Sequence, residues 1–214
     1  MSVQLQALAD EVFDAAAALD LVAPPWARSA PALASTLAAP GGTNETQAAM
    51  VQVFTEISSS SGGGRSQIPS PSGGGQGGGF SILPVQSEEA WVAFEGLLRA
   101  DAAEPGRTDA ATAQVTRLYR WRAANTAHRF YLANDGDRAV ARVGLFQHRT
   151  TAYLEGLFTH PDFRQRGAGS FLTQAMEAEA RAVGCERVAL LCTRESGLRA
   201  YFERLGFRVV GERS

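Results

Sequence analysis

Residues 157–172 read Leu-Phe-Thr-His-Pro-Asp-Phe-Arg-Gln-Arg-Gly-Ala-Gly-Ser-Phe-Leu, and the fold follows from how they are read. An apolar strand reaches Thr159, and Pro161 breaks it. A loop with two arginines and two glycines then runs straight into a helix. Gly167 and Gly169 lack Cβ, so a ligand can approach their backbone closely. The free N–H groups of the first helical turn, together with the helix dipole, form an anion site. Arg164 and Arg166 add positive charge beside it. The combination suits a pyrophosphate. Other phosphate loops fit worse. The chain has no lysine, so no G-x-x-x-x-G-K-[ST] exists, and Ser170-Phe171-Leu172 after Gly169 does not complete G-x-G-x-x-G.

Outward from this segment, helix and strand alternate. Helical stripes run over 88–100 (Trp91, Phe94, Leu97, Leu98) and 109–124 (Val115, Leu118, Tyr119). Strands are predicted at 129–133 and 139–147, joined through Asn134-Asp135-Gly136-Asp137, where Asp-Gly signals a hairpin. A strand at 151–159, a helix at 169–183, a buried strand at 187–193, a helix at 196–205 and a strand at 207–211 follow. The first three strands are antiparallel; the one at 187 follows a helical crossover and runs parallel to its predecessor. The fold class is α/β, a mixed (α+β) sheet with helices on both faces.

Ser58 to Gly79 contains sixteen Gly or Ser among 22 residues, plus two Pro, and reads as a flexible linker. It divides the chain into 1–57, the 58–79 linker and 80–214. The first piece reads as helical. Leu5, Leu8, Val12, Phe13, Ala16 and Leu19 keep helical spacing until Pro24-Pro25, and a short helix carries Leu33 and Leu37. Asn44 and Gln47 resemble a capping box before Met50, Val53, Phe54 and Ile57, whose i, i+3, i+4, i+7 spacing predicts a helix over a strand. Arg28 stands there against six acids, and no chemical motif is present.

Bulk properties exclude several classes. A net charge of −2 in 214 residues disfavours a nucleic-acid binder. Cys185 and Cys192 at the two ends of a strand lie roughly 20 Å apart, too far for a disulfide, and no Cys/His set has metal-ligand spacing, so no metal is expected. The N-terminus lacks a signal-peptide pattern, and no 18-residue apolar run spans a membrane. A cytoplasmic protein without membrane or nucleic-acid partners is expected.

Residues 157–172 resemble motif A of the GNAT superfamily of N-acetyltransferases. The family's [Q/R]-x-x-G-x-[G/A] signature falls on Arg164, Gly167 and Gly169, and its L-x-V-x-P lead-in on Leu157, Thr159 and Pro161. Tyr201-Phe202-Glu203-Arg204-Leu205-Gly206-Phe207 is similar to the family's "YEKLGF" ending. The resemblance covers about 80–214. It implies an acetyl-CoA site. The amides of Gln165, Arg166, Gly167, Ala168, Gly169 and Ser170 hold the pyrophosphate, and Leu157, Phe158 and Thr159 carry the pantetheine arm like an added strand. The strands at 151–159 and 187–193 splay to leave the cleft.

The resemblance further implies transfer of an acetyl group to an amine of a small molecule or peptide by direct attack in a ternary complex. An alkyl ammonium must first lose a proton, and Glu155, on the face of Leu157, is the candidate base. The thioester oxygen takes a donor from the backbone near Phe158. The family's thiolate-facing Tyr falls on Phe202, beside the coenzyme, with Tyr201 one residue earlier; the Asn seven residues before it is Glu195. Either water or Tyr201 then protonates the thiolate. The alternative is a non-catalytic acetyl-CoA-binding module that recruits a partner through its N-terminal helices. Arg117, Tyr119, Arg120, Trp121 and Arg122 either face the acceptor or snorkel on a helix surface. The family has two strands after its last helix, and 207–214 has room for one. The N-terminal helices, or a second subunit in a homodimer, are expected to cover the edge this leaves.

Overall fold

A computed structural model describes residues 6–14, 47–53, 79–101, 108–193 and 197–213. The elements are α1 (6–14), β1 (Gln47–Val53), β2 (Phe80–Pro84), α2 (Glu88–Asp101), α3 (Asp109–Asn125), β3 (His128–Asp135), β4 (Arg138–His148), β5 (Thr151–Thr159), a short 3-10 turn (Pro161–Phe163), α4 (Ala168–Ala182), β6 (Arg187–Thr193), α5 (Leu198–Arg204) and β7 (Arg208–Arg213). The strands form one mixed sheet in the order β2-β3-β4-β5-β6-β1-β7. β2 to β5 run antiparallel to their neighbours, and β5 to β6 is parallel.

Local chemistry accounts for the boundaries. Thr108 caps α3, its hydroxyl accepting from the Ala111 amide. Gly136 adopts a left-handed φ of 59° in the β3–β4 turn, as the Asp-Gly pair predicts. Alternation along β3 sends Tyr131 and Ala133 to one face and Phe130 and Leu132 to the other. The first face packs under α4 and α5, through Leu172, Met176 and Phe202. The second packs under α2 and α3, through Trp91, Phe94 and Leu118. Beside this second cluster, Ala9 and Val12 of α1 cover Val51, Tyr153, Ala189 and Val210.

One predicted element is corrected. Residues 47–53 are a strand, not the start of a helix. Met50 and Val51, adjacent in sequence, are both fully buried, on opposite sides of the sheet. A strand buried on both faces loses its polar alternation, and its apolar spacing then mimics a helix. This strand pairs antiparallel with both β6 and β7. The edge left beside β6 is therefore covered from the N-terminal segment, by a strand where helices were expected. β2, an edge strand directly after the glycine run, went unread in the sequence. The helices expected beyond residue 14, the Asn44 cap, residues 54–78 and Glu195 lie outside the described residues. Cys185 and Cys192 are free and buried. Among the described residues no helix is long and apolar enough to cross a membrane.

Candidate active site

The parallel β5–β6 ladder is short. It pairs Thr151 with Arg187, Ala152 with Val188 and Tyr153 with Ala189, and stops there. From Leu190 to Thr193, β6 stays paired with β1 on its other side, while from Leu154 on, β5 keeps only β4. The two strands diverge into a wedge, open at their C-terminal ends, with the β5 backbone over Leu157, Phe158 and Thr159 free of strand partners on that side.

The wedge leads to the loop of the opening motif. Phe163 is buried and anchors it, with the guanidinium carbons of Arg138 and Arg166 at 4.7 and 5.1 Å from its ring centre. Arg164, Gln165, Arg166 and Gly167 are exposed. Gln165 and Gly167 take positive φ values of 61° and 90°. The first α4 backbone bond runs from the Phe171 amide to Gly167 O, so the amides of Ala168, Gly169 and Ser170 precede the helical ladder. A Cβ on Gly169 would lie 3.0 Å from both Thr159 Oγ1 and the Tyr201 hydroxyl. Glycine here keeps the helix start, the end of β5 and α5 in close approach. Arg164 Nε donates to Thr159 O at 3.3 Å.

At the inner end of the wedge, β5 carries a bulge. The β4–β5 register shifts between Arg142↔Phe158 and Gly144↔Glu155, and Gly156 has φ 59°. Arg142, 3% exposed, donates through Nη1 to Gly156 O at 2.7 Å and through Nη2 to Asp101 Oδ2. A Cβ on Gly156 would lie 2.8 Å from Arg142 Nη1 and 3.6 Å from the Tyr119 hydroxyl. Burial, then the negative charge of Glu155, pushes the Tyr119 hydroxyl up to about 12, which keeps it a hydrogen-bond donor.

Glu155 lies next to the bulge, its side chain 16% exposed. Arg122 Nη1, from a residue 2% exposed, lies 3.2 Å from one carboxylate oxygen, and His128 Nε2 lies 3.1 Å from the other. The His128 contact has ion-pair distance, and among the described residues neither ring nitrogen makes a hydrogen bond. His128 is buried between the rings of Phe130 and Phe146. Burial alone would raise the Glu155 carboxyl. Its neighbours His128, Arg122 and Arg142 outweigh it and bring it down to about 2.

The structure thus brings Glu155, Leu157, Phe158 and Thr159 to one strand, and Arg164 to Ser170 to the loop and helix start at its end, but the Gly156 bulge puts Glu155 on the face of Phe158 and Phe130, not on that of Leu157 as the alternation predicts. Phe202 is 5% exposed and packs edge-on against Phe207 in the core. The Tyr201 hydroxyl instead reaches Ser170 Oγ at 3.4 Å, at the start of α4. The arginine-rich end of α3 divides. Arg122 turns inward, while Arg120 lies over Trp91 and pairs with Glu88. Arg142, Asp101 and His128 were missed. The one available signal was an arginine inside the apolar run Val140-Ala141-Arg142-Val143. Among the described residues no group of three His, Cys, Asp or Glu is placed to hold a metal ion.

Comparison with known proteins agrees with this geometry. No curated protein sequence matches the chain significantly. Among solved structures, a functionally unknown conserved protein from Staphylococcus epidermidis superposes with a TM-score of 0.57 at 13% identity, over 86% of this chain and 65% of that one, so the chain spans just under two thirds of its length. AAC(6')-Iy in complex with the bisubstrate analog CoA-S-monomethyl-acetylneamine gives 0.52 at 20%, over 62% of this chain and 92% of that one. An aminoglycoside antibiotic 6'-N-acetyltransferase from Acinetobacter baumannii gives 0.50 at 24%, over 62% and 93%. These likenesses concern the fold. The family model described as acetyltransferase (GNAT) family matches residues 91–207, more than half of the sequence and all of the site just described, and the chain belongs to that family.

Proposed function

We propose that the protein is an N-acetyltransferase that moves an acetyl group from acetyl-CoA to an amine of a small molecule or peptide, by direct attack in a ternary complex in the cytoplasm. The observation that carries this reading is the β5–β6 wedge, whose unpaired β5 backbone ends at an exposed loop, Arg164 to Gly167, that runs into a glycine-containing helix start. The residues fit coenzyme A: the amides of Gln165 to Ser170 suit its diphosphate, and Leu157, Phe158 and Thr159 offer main-chain groups to its pantetheine arm.

Acetyl-CoA supplies an activated thioester. The chain's own groups do the rest. The amide near Phe158, at the Gly156 bulge, donates to the oxygen on which negative charge develops. Arg142 fixes the Gly156 carbonyl, and with it the direction of that amide. Glu155 stays ionised at neutral pH. A carboxylate held that low is a poor store for a proton, so it acts by holding the acceptor nitrogen and the water that takes the ammonium proton away. The nitrogen–carbon bond forms, the carbon–sulfur bond breaks, and the thiolate is protonated by water or by Tyr201.

A second reading, a non-catalytic acetyl-CoA-binding module, is favoured by Phe202, which puts a core ring where relatives have a hydroxyl. Thiol release measured over a panel of amines separates the two. Amine-dependent release, lost in Glu155→Gln, supports the enzyme. Coenzyme binding without amine-dependent release supports the module.

A further inference from the structure

The two strands of the wedge are held by segments that lie far away in sequence. β1 pairs with all seven residues of β6, from Gln47↔Thr193 to Val53↔Arg187, whereas β5 pairs with only three. The far half of β6 therefore has β1 as its ladder partner. Met50 Sδ lies 3.5 Å from Cys192 Sγ on that half, and Val51 is buried against Ala189 and Tyr153. At the closed end of the wedge stands Glu11 of α1. One of its oxygens accepts from the Thr151 hydroxyl at 2.7 Å and the other from Arg187 Nη1 at 2.7 Å. Thr151 and Arg187 are the first rung of the β5–β6 pairing. α1 itself sits hard on β7, where a Cβ on Gly211 would lie 2.5 Å from Ala9 Cβ.

We propose that α1 and β1 set the opening of the coenzyme cleft: Glu11 ties β5 to β6 at the apex, and β1 draws the far half of β6 off β5. Glu11 and Val51 are positioning residues; they act through β5 and β6. Identifying the ligand of the cleft as coenzyme A rests on the function proposed above. The mechanical part does not. A segment that holds the cleft open is coupled to whatever fills it, and the coupling is reciprocal.

The test uses the full chain and three variants: Glu11→Ala, Glu11→Gln and Val51→Asp. Amide protection over 91–98, in the cluster under α2 and α3, reports whether the rest of the domain is folded. Calorimetric titration with coenzyme A is expected to show affinity reduced about tenfold or more in Glu11→Ala and Val51→Asp, with amide protection over 91–98 native. Glu11→Gln, which keeps an oxygen for Thr151, is expected to recover most of that loss. In the wild type, coenzyme A is expected to slow hydrogen exchange at Met50 and Val51. Unchanged affinity in both disruptive variants, or unchanged exchange in β1 with coenzyme bound, would overturn the proposal. Should the wild type bind no coenzyme A, the function fails and hydrogen exchange alone judges the arm. Val51→Asp should then increase protection over 154–159, as β6 closes on β5, and unchanged protection there overturns the proposal.

Discussion

Gly144 and Glu155 face each other across the β4–β5 ladder, and the missing Cβ of Gly144 is the space in which the Glu155 side chain lies. A Cβ at 144 would stand 2.9 Å from Glu155 Cγ, 3.0 Å from Phe130 Cε1 and 3.3 Å from His128 Nε2. Gly144→Ala must therefore push Glu155 off its two partners. The expected outcome is a loss of about 1–2 kcal/mol in urea unfolding, overpacking offset in part by the lower entropy of the unfolded chain. A variant as stable as the wild type would show that the contact yields freely.

Glu155→Gln withdraws a negative charge from beside the buried Arg122 guanidinium. At pH 7 a loss of up to about 3 kcal/mol is expected. The pH dependence has a definite sign. The folded carboxyl, at about 2, lies below its ordinary value of 4.5. Its contribution is present in full above the unfolded value and is lost as pH falls from there toward the folded one. Urea midpoints of wild type and variant should differ at pH 7 and draw together as pH falls from about 4.5 toward about 2. A gap that widens on acidification would contradict the assignment.

Gly169→Ala probes the helix start. Its Cβ would crowd Thr159 Oγ1 and the Tyr201 hydroxyl, at the helix start proposed to hold the diphosphate. Coenzyme affinity is expected to fall about tenfold or more, with stability changed by about 1 kcal/mol or less. The reverse pattern, intact affinity and a large loss of stability, would make the glycine a packing residue only.

Arg142→Met keeps apolar volume but frees the Gly156 carbonyl, while Asp101, 36% exposed at its side chain, is left to solvent. Losing a charged hydrogen bond should remove about 2 kcal/mol of stability. Turnover should fall by more than the coenzyme affinity, because the bulge amide loses its aim. Equal falls in both would place Arg142 in binding alone.

The loop from Thr159 to Ser170 was legible because its features are local: a proline, two glycines and a helix start within a dozen residues. The Asp-Gly turn at Gly136 and the helices α2 to α4 were legible for the same reason. Three things were not. β1 is buried on both faces, so Met50 and Val51 carry no period-two signature. Its place between β6 and β7 rests on pairings across 134 to 166 residues, to which local patterns are blind. The partners of Glu155 come from α3 and the first residue of β3, so nothing local to Glu155 announces that they hold its carboxyl low.

The central claim is that the wedge and the amides beyond Pro161 hold an acyl-CoA. Calorimetric titration of the intact chain with coenzyme A tests it most directly. A single saturable site in the micromolar range (~1–100 μM) is expected, weakened in Gly169→Ala. An absence of heat with coenzyme A, alongside binding of a nucleoside triphosphate, would contradict it.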